Sequence, residues 1–99
     1  MRIREIQDDA LKLCKKHDWS DRNPSQRFRY LISEVGELSR ELLRLEWEGE
    51  ELDNVKRNIA HEMYDIVWNL CDLANQLDID LEPHFEDKKQ HNSARSWTK

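Results

Sequence analysis

Glycine, proline and cysteine each occur only twice in this chain. So few turn-formers exclude a fold of many short strands, which needs such residues at every reversal. Cys14 and Cys71 cannot staple a small secreted scaffold, and a reducing cytoplasm is their expected setting. No apolar run approaches the ~18–20 residues of a membrane span. The opening MRIREIQDD also lacks the apolar stretch of a signal peptide. Neither a membrane partner nor export is expected. Positive charge is short as well: 16 Lys+Arg against 21 Asp+Glu leave a net charge of −5. Binding to a nucleic-acid polymer rests on a basic surface and is not expected. Phosphates held through a metal ion remain open to an acidic protein. Apolar residues make up 37% of the 99, no more than the charged ones. A chain this short buries only ~60–70% of its unfolded surface. That is thin for a self-sufficient core, and a second copy would relieve it.

What is present is helical periodicity. Ile3, Ile6, Ala10, Leu13 and Cys14 share one face of a first helix that ends near Lys15–Asp18. Asn23, Pro24 and Gln26 then form a start signal: a capping side chain, a first-turn proline and the far half of a capping box. The helix that follows carries Phe28, Leu31, Ile32, Val35, Leu38, Leu42 and Leu45, and is expected to stop near Gly49. Asp53 or Asn54 caps a third, with Val55, Ile59, Met63, Ile66, Leu70, Leu73, Ala74 and Leu77. A short last helix is expected from Asp80 toward Asn92, with Pro83 tolerated in its first turn. Residues 93–99 read as a polar tail anchored by Trp97. The expected fold is one all-α, four-helix domain over residues 1–99, its core completed by oligomerisation.

The chemistry lies in two acid pairs, Glu34-Val-Gly-Glu37 on the second helix and Glu62-Met-Tyr-Asp65 on the third. Residues three apart on a helix are surface neighbours, so each pair can offer two carboxylates to one point. At ~100° per residue, Glu34 and Glu62 fall at the border of each apolar stripe. Packing the stripes together would bring four carboxylates to one margin. Their repulsion calls for a cation, and hard oxygen ligands suit Mg²⁺ first and Mn²⁺ second. Gly36 inside a helix costs about 1 kcal/mol relative to Ala, which makes sense if something approaches the backbone between the two glutamates.

The competing account is a solvated acidic face. Glu46, Glu48, Glu50 and Glu51 fit it, and Glu41 fits a pair with Arg44. Di-iron and zinc schemes fail. The residues three before His17, His61, His84 and His91 are Cys14, Asn58, Leu81 and Lys88, so no Glu-x-x-His exists. His61-Glu62-Met-Tyr-Asp65 ends on Asp where a zinc protease has His, and the distant cysteines have no zinc-finger spacing.

Glu34-x-x-Glu37, residues 38–61, then Glu62-x-x-Asp65 resembles the signature of the MazG-like, all-α nucleoside triphosphate pyrophosphohydrolases. Leu31-Ile-Ser-Glu-Val-Gly-Glu-Leu38, Ala60-His-Glu-Met-Tyr-Asp-Ile-Val67 and Leu73-Ala-Asn-Gln-Leu-Asp-Ile-Asp-Leu81 carry the likeness. So does Lys88-x-x-x-Asn92-x-x-Arg95, which is similar to the family's phosphate-contacting end. The resemblance spans about residues 19–97. It implies a homodimer, or a tetramer of tight dimers, that hydrolyses (deoxy)nucleoside triphosphates with Mg²⁺ to the monophosphate and pyrophosphate, in nucleotide-pool control or house-cleaning. One position departs: many relatives carry an acid just before the first metal-binding Glu, and here it is Ser33.

The site expected on this reading is Glu34, Glu37, Glu62 and Asp65 for metal, with Glu34 or Glu37 taking a proton from the attacking water. Lys88 and Arg95 would hold phosphates by charge-assisted hydrogen bonds, and Asn92 phosphate or sugar. Trp19, Phe28 or Trp68 could stack on the base, with core packing as each one's alternative. Asn69 could reach sugar or base. The alternative of a different class is a non-catalytic acidic helical module for protein–protein interaction.

Overall fold

A computed structural model describes residues 1–19, 23–47 and 52–95. The expectations for Glu48, Gly49, Glu50, Glu51 and Trp97 lie outside the described residues. Within them the chain is all-α: α1 (Ile3–Lys16), α2 (Pro24–Trp47), α3 (Leu52–Gln76) and α4 (Leu81–Ala94). None of these helices is long and apolar enough to cross a membrane.

Local chemistry sets the helix ends. Asn23 Oδ1 accepts from Gln26 N at 2.8 Å while Gln26 Oε1 accepts from Asn23 N at 3.5 Å, the reciprocal capping box that starts α2 at Pro24. α1 and α3 finish alike, in Schellman motifs. Trp19 N donates to Cys14 O (2.8 Å) and Asp18 N to Lys15 O (3.3 Å); Ile79 N donates to Ala74 O (2.9 Å) and Asp78 N to Asn75 O (3.2 Å). The left-handed residue of each motif is an aspartate, with φ of 55° at Asp18 and 54° at Asp78. Two expected boundaries move. α3 begins at Leu52, so Asp53 stands inside its first turn, where its charge suits the helix's positive end, and neither it nor Asn54 is the cap. α4 runs on to Ala94, taking Ser93 and Ala94 out of the expected tail.

α3 is the central helix. Arg27 meets Asn69 and Asp72, whereas Glu34, further along α2, meets Glu62 and Asp65, so α2 and α3 run antiparallel. α1 lies antiparallel to α3 on another side, with Cys14 at Asp72 and Gln7 at Asn75. α4 packs on α1. Gln7, nearly buried, joins three elements: its Nε2 donates to Asn75 Oδ1 and Ile79 O, and its Oε1 accepts from Leu81 N at 2.8 Å. Asp80 occupies the N-cap position of α4, yet its carboxylate pairs with Arg4 at 3.4 Å and leaves capping to Gln7.

The face that α2 turns to α3 differs from the expected one. Its residues that are not exposed are Pro24, Arg27, Leu31, Glu34, Leu38, Glu41 and Arg44, a stripe at helical spacing that is mostly polar. The apolar arc expected in the core is largely uncovered, with Phe28, Ile32, Val35, Leu42 and Leu45 all exposed. The buried core is small: Ile6, Ala10, Cys14, Leu31, Val55, Cys71 and Ala74, both cysteines being free thiols. The radius of gyration is 16.3 Å, against about 13 Å for a compact domain of ~100 residues. The molecule is open, 44 × 43 × 25 Å, and α4 buries no side chain fully.

Candidate metal centre and its cleft

Because α2 presents its Arg27–Leu31–Glu34–Leu38 stripe to α3, Glu34 points into the seam between the helices. Glu62 and Asp65 face it from α3, and one carboxylate oxygen of each of the three lies within 4.8 Å of the others. Buried Oε2 atoms of both Glu34 and Glu62 have no hydrogen-bond partner. Desolvation, a hydrogen bond with Glu34, the charges of Glu37 and Glu34, and a hydrogen bond with Glu37 push the Glu62 carboxyl from 4.5 up to about 7. Like charges crowd a partly dry seam, and the ionised form suffers for it.

The fourth expected ligand, Glu37, is not part of this group. It is exposed, as Asp65 is, and hydrogen-bonds with Glu62 without bringing an oxygen within 4.8 Å of all three. Three carboxylates converge most closely, and the fourth, Glu37, meets them through Glu62. Gly36 lies between the two α2 acids, and a Cβ built on it would meet nothing within 4 Å. No part of this chain's described residues approaches the backbone there. Glu41 pairs with Arg44 at 3.1 Å, as its spacing implied, and takes no part.

Beside the carboxylates a cleft of about 540 Å³ opens between α1, α2 and α3. Trp19, Tyr30, Tyr64 and Trp68 give it aromatic walls, Arg27 and Asn69 a polar one, and Glu34 and Asp65 border it. The Schellman turn at Asp18 delivers Trp19, stacked on His17 with ring centroids 4.9 Å apart. Of the expected stacking residues, Trp19 and Trp68 reach the cleft, whereas Phe28 sits on the exposed arc of α2. Asn69 lines the cleft too, but its amide is engaged within the protein: Oδ1 accepts from Arg27 Nη1 at 2.7 Å and Nδ2 donates to Asp65 O at 2.8 Å.

Arg27 and Asp72 went unmarked in the sequence. Both are almost fully buried, Nε of Arg27 against Oδ2 of Asp72, and Cys14 Sγ donates to Oδ1 of Asp72 at 3.3 Å. The guanidinium carbon lies 5.4 Å from the ring centroids of both Tyr30 and Trp68, in cation–π range. The available signal was spacing: position 27 lies four before Leu31 and seven before Glu34, on the stripe that packs.

Lys88 and Asn92 line a different, shallow cleft of about 570 Å³ formed by α4 residues, and Arg95 caps that helix. Their i, i+4, i+7 spacing does put them on one face. Within a single chain, though, α4 docks on α1 and the three do not join the carboxylates. The donor set at the α2–α3 seam suits a hard divalent cation: three carboxylates, two of them with orphaned buried oxygens, and no thiol or imidazole among them. No protein-family model, curated protein or solved structure matches this chain.

Proposed function

We propose that this chain hydrolyses nucleoside triphosphates to the monophosphate and pyrophosphate with Mg²⁺, as the MazG-like resemblance of its motifs implies. The observation that carries the reading is the convergence of Glu34, Glu62 and Asp65, with two orphaned buried oxygens, at the edge of an aromatic-walled cleft. Glu34, Glu62 and Asp65 would hold the metal, with Mn²⁺ as substitute, and it would supply charge neutralisation and a more acidic water. Glu37, beside Glu62 and at the edge of the converging set, takes the proton of the attacking water. Trp19 and Trp68 receive the base by stacking, which suits every base because each has a π-face.

The working unit in this reading is an assembly of identical chains. Phe28, Ile32, Val35 and Leu42 form an arc that a second copy would cover, and open space over Gly36 leaves room for it. A neighbouring copy is also the way for Lys88 and Arg95 to reach a triphosphate held at another chain's carboxylates. Cys14 and Cys71, both free and buried, fit a reducing cytoplasm. A pyrophosphate-coupled assay over standard and damaged (deoxy)nucleotides tests the hydrolase. Turnover that needs Mg²⁺ and vanishes in Glu34→Gln, with helical circular dichroism unchanged, supports it. No turnover across the panel returns the chain to a helical interaction module.

A further inference from the structure

We infer that an apolar face shared by α2 and α3 docks the same face of a second copy of this chain, hairpin against hairpin, in a two-fold four-helix core. The arc on α2 is half of that face, and α3 carries the other half. Ile59, Met63, Ile66, Leu70, Leu73 and Leu77 follow one another in alternating steps of four and three residues. Met63, Leu70 and Leu77 are exposed, and the other three are half-buried. The α2 row, Phe28, Ile32, Val35, Ser39 and Leu42, keeps the same steps, with Ser39 its polar member.

The two rows share a side of the hairpin. At ~100° per residue, the α3 row lies about 170° round from Asp72 and Asn75, which meet α1 through Cys14 and Gln7. It lies only about 70° from Glu62 and Asn69, which meet α2. The α2 arc lies about 155° from Tyr30, which lines the cleft shared with α1. Both rows therefore turn away from α1, on the side of the hairpin opposite the cleft and its carboxylates.

Size and spacing point to a second copy as the occupant. On helices ~10 Å across that rise ~1.5 Å per residue, the two rows outline about 25 × 20 Å. Corrugated by half-exposed side chains, such a face approaches the ~800 Å² per partner of a standard protein interface. Steps of four and three keep a row facing a partner helix along its length, so that knobs of one row enter holes of the other. An identical hairpin matches the face in length, width and step, and two-fold symmetry makes each contact twice. The small core of the single chain gains a second apolar layer, and the cleft stays uncovered.

Sedimentation equilibrium of the wild-type chain should give twice the 12.0 kDa chain mass or an even multiple of it. Met63→Lys and Leu70→Lys change positions already exposed in one chain and should keep the helical circular dichroism. Each should weaken association at least about a hundredfold, as an unpaired charge inside an interface does. Leu11→Lys, exposed to a similar degree but on α1, should associate as wild type. A second readout uses the unaltered chain, in which Met1 is 85% and Met63 52% exposed. Under hydrogen peroxide, Met63 of the assembly should form its sulfoxide at least about tenfold more slowly than Met1. That comparison decides the matter if the lysine variants do not fold. A monomeric wild type would leave the face to a different partner and overturns the inference. So does an assembly in which Met63 oxidises as fast as Met1, or one that a folded α3 variant leaves intact. No nucleotide enters these measurements, so failure of the hydrolase reading is seen separately.

Discussion

Arg27, in the first turn of α2, forms a buried ion pair with Asp72 near the end of α3, at 3% and 5% side-chain exposure. This contact turns α2 so that Glu34, two helical turns further on, enters the seam opposite Glu62 and Asp65. One buried pair thereby connects the packing of the hairpin to its candidate site.

Removing one partner should therefore be severe. Arg27→Ala or Asp72→Ala leaves a buried charge alone and should cost about 3–5 kcal/mol, read as a shifted urea midpoint. Arg27→Met/Asp72→Leu should recover most of that loss, since replacing a buried pair by apolar groups is often neutral.

The raised carboxyl of Glu62 gives a pH dependence of definite sign. Its folded value of about 7 exceeds the ordinary 4.5, so the metal-free folded state binds the proton more tightly than the unfolded one. That contribution is full below about pH 4.5 and is lost as pH rises through 7. A bound divalent cation needs the ionised form, so its effect runs the other way. Thermal melts should show Mg²⁺ stabilisation that is weak near pH 5.5 and strong near pH 8. Glu62→Gln should stabilise the metal-free chain at the higher pH and abolish the response to Mg²⁺.

Glu37 separates from the other acids in kinetics. Glu37→Gln should lower kcat by about 10²–10⁴-fold, the range of a general base, while the Mg²⁺-induced rise in Tm persists. Glu34→Gln should lose both.

Gly36 reports on assembly. With open space around its Cβ position, Gly36→Ala should stabilise the helix of an isolated chain by about 1 kcal/mol. If a second copy packs over the backbone there, sedimentation should show weaker self-association in the same variant. Unchanged association would place the interface elsewhere on α2.

Asp78 holds a left-handed φ of 54° at a position where glycine carries no Cβ penalty. Asp78→Gly should raise stability by about 1 kcal/mol, seen as a higher Tm with no change in metal response.

The start of α2 was legible because its cause is local: Asn23, Pro24 and Gln26 carry the whole capping box within four residues. The acid pairs were legible because a three-residue spacing fixes a shared face. The packing face of α2 was not. Hydrophobic periodicity locates the apolar residues but not the element that covers them, and Phe28, Ile32, Val35 and Leu42 turn away from α3. Arg27 and Asp72 stayed hidden for a related reason: a charge on a helix reads as solvated until its partner, distant in sequence, is placed beside it. Spacing alone did not order the acids within the site: Glu37, about 60° round the helix from Glu34, meets Glu62 without joining the converging three.

The most direct test of the account is ³¹P nuclear magnetic resonance of the protein with a nucleoside triphosphate and Mg²⁺ in ¹⁸O-labelled water. The account predicts pyrophosphate and monophosphate in equal amounts, with the label on the monophosphate, and no reaction in Glu62→Gln. Orthophosphate as the first product, label in the pyrophosphate, or equal turnover by the variant would contradict it.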